Sequence, residues 1–271
     1  MTTRPARSLA SGVVAAALAV GGFAGCGSSG SSGSSGAASS STSGSAKLTG
    51  TITVLAAASL AEAFTTLGKQ FEAAHPGTKV VFSFGPSSGL ATQITQGAPA
   101  DVFASASQKT MDQVTSAGAA SAPATFARNT MEIAVPPANP AGIASVADLT
   151  KHGVKVALCQ AQVPCGTVAQ KVFDNAKIKV TPVTQEADVK SVLSKVELGE
   201  VDAGVVYVTD VLAAGDKVKG IEITSDVNAS TAYPIAALSK APNAAGAKAF
   251  VDFVLSAPGQ TVLTQDGFAG P

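Results

Sequence analysis

Tryptophan is absent from this 271-residue chain, and tyrosine and histidine occur twice each. With so few π-faces, recognition does not rest on aromatic stacking, which removes the usual means of holding single-stranded nucleic acid. Clustered positive charge is missing too: the arginines are Arg4, Arg7 and Arg128, no basic run occurs, and formal net charge is zero. Nucleic acid and anionic lipid headgroups both need such clusters, so neither is expected as a partner. There is no Gly-x-Ser-x-Gly elbow and no Gly-rich phosphate loop carrying a lysine, so a serine hydrolase or a nucleotide-binding enzyme would lack its motif. His75 before Pro76 and His152 before Gly153 read as solvent-side helix terminators.

What is present begins with an export signal. Arg4 and Arg7 precede an uncharged stretch from Ser8 to Gly25, centred on Val13 to Val20. A charged start followed by a short apolar segment is the pattern of a secretory signal. Its 18 residues, many of them Ala and Gly, are marginal for a span of ~20 strongly apolar residues. The ending Phe23-Ala24-Gly25-Cys26 resembles a bacterial lipoprotein signal, with Phe23 where Leu, Val or Ile is usual. That resemblance implies removal of residues 1–25 and acylation of Cys26, anchoring the chain to the outer face of the cell membrane. Residues 27–46 contain only Gly, Ser, Ala and Thr, a composition that cannot bury a core and makes a flexible linker. Such a tract spans about 25 Å root-mean-square. Loss of Arg4 and Arg7 leaves 16 basic against 18 acidic residues, a net charge of −2 for the mature chain.

The rest alternates strand and helix patterns. Thr51 to Leu55 is rich in β-branched residues, and Ser59-Leu60-Ala61-Glu62 has the form of a capping box. Leu60, Phe64, Leu67 and Phe71 lay an apolar stripe along the helix that follows, which ends at His75-Pro76-Gly77. Strands are expected at 79–84, 101–104, 131–135, 154–158, 201–207 and 233–238, with helices after Ser88 and at 108–117, 167–175 and 188–198 and two more closing the chain. Ser145 to Asp148 again suggests a cap. This alternation implies an α/β fold around largely parallel sheets. In such sheets the ligand crevice lies where strands end and helices begin. Several of these turns consist of small residues: 56–59, 87–89 and 165–167. Unpaired helix N–H groups and hydroxyls without positive side chains form an uncharged cradle for an anion, although each serine alone could simply cap its own helix.

In order along the chain, Ala56 to Leu60, Phe84 to Leu90, Gly97 to Phe103, Val163 to Gly166, Asp188-Val189, Gly204 to Tyr207 and Asp266 to Phe268 resemble the periplasmic molybdate-binding proteins of ABC importers. The resemblance runs from about Leu48 to Phe268. It implies a two-lobed type II periplasmic-binding-protein fold with a hinged ligand cleft. Residues 47–128 and 232–271 would form lobe I, and 129–231 lobe II. It also implies a non-enzymatic, monomeric receptor for molybdate and tungstate that serves a membrane permease. The membrane would be met through the lipid anchor only, with no cofactor and no metal beyond the oxyanion. The ligand set it implies is Ser59, Ser87, Cys165, Val189 and Tyr207, with Cys165 and Val189 acting through backbone N–H. Pro86 stands where Ser is common, which makes Ser88 an alternative to Ser87. Other readings are a receptor for sulfate or phosphate, a surface hydrolase using Ser59 or Ser87, and a lipoprotein serving adhesion or sensing.

With Cys26 assigned to lipid, Cys159 and Cys165 remain. Outside the cytoplasm so close a pair reads as a disulfide, and a metal site is the lesser alternative because no histidine cluster accompanies it. A disulfide here would stiffen the loop that presents Cys165. Alkylation of the denatured, non-reduced protein should then label neither cysteine, and mass spectrometry showing both labelled would overturn the pairing.

Overall fold

The computed structural model describes residues 47–271. The signal segment, Cys26 and the linker expected at 1–46 lie outside the described residues. The first half of the chain builds strand β1 (Gly50–Ala57), helix α1 (Ala61–Ala74), β2 (Thr78–Gly85), α2 (Ser87–Thr95), β3 (Val102–Ala104), α3 (Gln108–Ser116) and the long β4 (Ala124–Val135). There follow β5 (Val156–Cys159), α4 (Pro164–Ala176), β6 (Thr184–Glu186), α5 (Val189–Glu197), β7 (Ala203–Tyr207) and α6 (Val208–Ala214). The chain closes with β8 (Lys219–Glu222), β9 (Ser230–Ala237), α7 (Ala244–Leu255) and α8 (Ala257–Gln265).

Strand order is β2-β1-β3-β9-β4-β7-β5-β6, with β8 also on β4. The outer pairs, β1 with β2 and β3 and β5 with β6 and β7, are parallel. Every pair made by β4 or β9 is antiparallel. The sheet is therefore mixed rather than largely parallel as the sequence implied. The reason is topological: β4 and β9 carry the chain between two halves and run against the strands they join. Residues 124–130 of β4 pair with β9, whereas 131–135 pair with β7 and β8. At the changeover the Asn228 side chain acts as an extra strand residue, accepting from Met131 N at 3.1 Å and donating to Met131 O at 2.8 Å.

Each half has its own apolar interior. One draws on Ile52, Phe64, Phe71, Phe126, Phe250 and neighbours between the first sheet and helices α1, α7 and α8, with a smaller cluster around Leu90, Phe103 and Met111 under α2 and α3. The other packs Ile133, Val156, Val172, Val192 and Val205 between the second sheet and α4 and α5. The buried carboxylate of Asp101 ties the first half together, accepting from Thr53 N at 2.7 Å and Asn243 N at 2.6 Å. The α1 stripe of Leu60, Phe64, Leu67 and Phe71 is wholly buried. The Ser59 capping box does not form: a 3-10 turn over Ala58–Leu60 precedes α1, and no side chain caps either segment. Ser59 is instead drawn inward to a tyrosine hydroxyl. At Ser145 the cap does appear, as the Asp148 carboxylate accepting from Ser145 N at 2.9 Å and Ser145 Oγ at 3.1 Å at the head of a five-residue 3-10 helix.

The Phe64 ring meets Phe82, Phe126 and Phe250 at centroid separations of 6.1, 5.6 and 6.1 Å. Phe64→Ala should therefore cost about 3–5 kcal/mol in denaturant unfolding, the range for an uncompensated core cavity. A loss near zero would mean that this interior repacks freely.

Candidate functional site

The turns between strands and helices from both halves close around one small cavity. It is lined by Ala57 to Ser59 after β1, Gly85 to Ser87 after β2, Val163 to Cys165, Ala187 to Val189, and Tyr207 at the end of β7, with Ala106. Ser59, Ser87, Cys165, Val189 and Tyr207, separated by up to 148 positions in sequence, thus come to one place. Ser88, the alternative hydroxyl, is not among the lining residues. The centre of a water-sized sphere has about 20 Å³ in which to move. One water needs about 10–15 Å³ and a drug-sized ligand ~300 Å³ or more, so a small ion fits and a sugar or peptide does not. A larger hollow behind β4 and β8 is faced by Glu132 and Glu222, which would repel an anion.

The walls present donors. Ser87 opens α2, Cys165 lies in the first turn of α4, and Val189 opens α5 with Asp188 as its N-cap. First-turn N–H groups have no acceptor within their own helix and carry the positive end of its dipole. The Ser87 hydroxyl oxygen accepts from Ala106 N at 3.0 Å. Ser59 Oγ lies 2.9 Å from the Tyr233 hydroxyl. The Tyr207 hydroxyl is fully buried and has no hydrogen-bond partner among the described residues. Burial, reinforced by Tyr233 and Asp210, raises the Tyr207 pKa well above its ordinary value, so this hydroxyl stays protonated. No lysine or arginine lines the cavity, and the single carboxylate, Asp188, is turned away to accept from Ser191 N at 2.9 Å. Arg128 is exposed, and neither histidine reaches the cavity, so no histidine base stands beside Ser59 or Ser87.

Local covalent structure holds the Cys165 turn. Cys159 at the end of β5 is bonded to Cys165, with Cα atoms 5.8 Å apart. A side chain on Gly166 would place Cβ only 2.0 Å from Gln160 O, so glycine is required for α4 to start this close to β5. The helix begins at Pro164, three residues ahead of the Thr167 that the sequence pattern indicated. Pro suits that first position because it lacks only an N–H that would go unpaired.

Behind the cavity lies a polar group that sequence reasoning missed. Asp210, in the first turn of α6, is inaccessible to solvent, accepts from Tyr207 N at 3.1 Å and stands 3.2 Å from Lys190 Nζ. Lys190 also reaches Glu62 of α1 at 2.8 Å, an ion pair between the two halves. Burial alone would lower the Lys190 pKa, but Asp210 and Glu62 outweigh it and raise the value. Burial raises Asp210 to about 6 despite Lys190 and the Tyr207 N–H. Tyr233 and Asn129, whose Nδ2 donates to Thr209 Oγ1 at 2.9 Å, were missed as well. Scarcity was the available signal for Tyr233, one of only two tyrosines. The acids and amide carry no local pattern that separates them from surface residues.

The Asp210 shift predicts a pH dependence. An unfolded aspartate near 3.8 loses its proton first, so between pH 4 and 6 the folded chain holds a proton that the unfolded chain has released. Stability from this group is greatest below pH 4 and is lost as pH rises through 6. From pH 7 to 4 the native protein should therefore gain up to roughly 3 kcal/mol relative to Asp210→Asn in urea unfolding. Parallel pH profiles for the two would show an unshifted carboxyl.

Residues 52–269 match the family of bacterial extracellular solute-binding proteins. The chain is 44% identical over 264 residues to the molybdate-binding protein ModA of Mycobacterium tuberculosis, covering 97% of this chain and 98% of that protein. Identity to the molybdate-binding protein ModA of Escherichia coli is 32% over 237 residues, 81% of this chain and 89% of the other. In fold, the periplasmic molybdate-binding protein of Azotobacter vinelandii superposes with a TM-score of 0.72 at 19% identity, covering 81% of this chain and 99% of that one. These are binding components of transporters rather than enzymes, and the chain belongs to the molybdate-binding branch of the bacterial extracellular solute-binding protein family.

Proposed function

We propose that this protein captures molybdate, and tungstate with it, outside the cytoplasm and delivers it to the permease of an ABC importer. Ser59 and Ser87 donate through their hydroxyls, Cys165 and Val189 through backbone N–H groups, and Tyr207 through its phenol. The observation that carries this reading is the Tyr207 hydroxyl, a buried, protonated and unpartnered donor on a cavity without a cation. An unsatisfied buried hydroxyl is costly, and an oxyanion there would satisfy it. Molybdate and tungstate carry no proton at neutral pH, so donors alone suffice for them. Hydrogen phosphate would benefit from an acceptor, and the one lining carboxylate is engaged with Ser191. Sulfate is a bare dianion as well but smaller, so cavity size alone must exclude it.

The carriers of this function follow from the same reading. Lobe I comprises residues 47–128 and 232–271 and lobe II 129–231, hinged where β4 and β9 cross. Ligand contacts from both lobes exist together only when the lobes meet, so binding shifts the population towards the closed form. Residues 1–25 direct export, Cys26 carries the lipid that holds the chain at the outer face of the cell membrane, and 27–46 tether the body as a monomer.

Thermal unfolding of the mature body with millimolar molybdate, tungstate, sulfate or phosphate tests the ligand. A ligand at 1,000 times its Kd adds about 4 kcal/mol of stability, so molybdate and tungstate should raise the melting temperature by several degrees and the others should not. A shift with sulfate or phosphate instead would overturn the substrate. Calorimetric titration of Ser59→Ala and Tyr207→Phe should show affinity losses of about 1–3 kcal/mol each, and unchanged affinity in both would overturn the ligand set.

A further inference from the structure

The two serines of the cavity differ in what stands behind them. Ser87 Oγ accepts from the Ala106 backbone N–H, which can only donate, so the Ser87 hydrogen is left for the cavity. Behind Ser59 stands the Tyr233 hydroxyl, at 2.9 Å, where either oxygen could be the donor. Tyr233 comes from β9, is fully buried, and is gripped edge-on by Phe126 and Phe268 at centroid distances of 6.2 and 5.3 Å. It does not line the cavity itself.

Chemistry decides the direction. A phenol is far more acidic than an aliphatic alcohol, and its oxygen, conjugated with the ring, is the weaker acceptor. The preferred arrangement is phenol O–H to serine oxygen. With its own oxygen engaged from behind, Ser59 has its hydrogen free to turn forward.

We infer that Tyr233 is a positioning residue: its hydroxyl donates to Ser59 Oγ and so commits the Ser59 hydrogen to the oxyanion. Tyr233 does for Ser59 what the Ala106 N–H does for Ser87, and both serines meet the ligand as donors. This role rests on the oxyanion reading of the cavity and names what sets the polarity of one of its contacts.

The test is a double-mutant cycle on molybdate affinity, by calorimetric titration of the native body, Ser59→Ala, Tyr233→Phe and the double variant. Phe keeps the buried ring, and unfolding of each ligand-free variant checks that the fold is intact. Tyr233→Phe should weaken binding about three- to tenfold while Ser59 is present, and by less than about twofold once Ser59 is Ala. A merely structural role would weaken both backgrounds alike, and equal losses would overturn the inference, as would no loss in the single variant. Native protein that binds none of molybdate, tungstate, sulfate or phosphate would instead overturn the function itself, and the role of Tyr233 with it.

Discussion

Removing a doubly charged ion from water costs many times what one hydrogen bond returns, and a cavity without lysine or arginine has only hydrogen-bond donors with which to offset that cost. Donors that must first be turned towards the ion would lose much of their value. Each donor here is anchored by something that is not the ligand. Helix geometry aims the N–H groups at Cys165 and Val189. The Ala106 N–H holds Ser87, Tyr233 stands behind Ser59, and the Cys159 bridge and the bare Cα of Gly166 fix the first turn of α4. Preorganisation of this kind also explains the strand-to-helix architecture, because each turn delivers a ready set of unpaired N–H groups at the price of only three or four small residues.

The same cavity has walls from two separately packed halves, so its completeness depends on their approach. Across that boundary the buried Tyr207 and Tyr233 rings meet edge to face at 6.0 Å, and among the described residues a single ion pair spans it. The Glu62–Lys190 contact joins the halves, but Glu62 is half exposed, and ion pairs of that kind contribute little in water. Lys190 is held ready by the buried Asp210 on its own side. In the proposed mechanism so weak an ion pair between the halves leaves closure to the ligand rather than to the protein. The hinge is firm in register yet narrow: β4 changes partners between residues 130 and 131, where Asn228 clamps the backbone of Met131.

Much of this was legible in the sequence because it is local. The four-three-four spacing of Leu60 to Phe71, the small residues where β1 ends and α2 begins, and the helix starting at Asp188 each reflect a short-range rule that survives folding. Elements of three to seven residues, β6, β8 and α6, escaped because so few residues show no period, and α6 follows β7 without a loop to announce it. The Ser59 capping box was misread because local pattern and tertiary demand compete for one hydroxyl, and a tyrosine 174 positions away prevails. The mixed sheet was illegible for a related reason. Strand direction at β4 and β9 is set by which half each strand leaves and enters, not by its own residues. Asp210, Lys190 and Asn129 acquire meaning only through partners distant in sequence, and no spacing rule reaches them.

Both tyrosines of the chain stand at this one site, Tyr207 in the cavity wall and Tyr233 just behind it, and there is no tryptophan anywhere. Emission beyond the phenylalanine bands therefore arises from two phenols whose ring centres lie 6.0 Å apart. In most proteins such signals average over many chromophores scattered through the fold. Here tyrosine emission is a local instrument: it reports the surroundings of two phenols at the binding site, with no label attached.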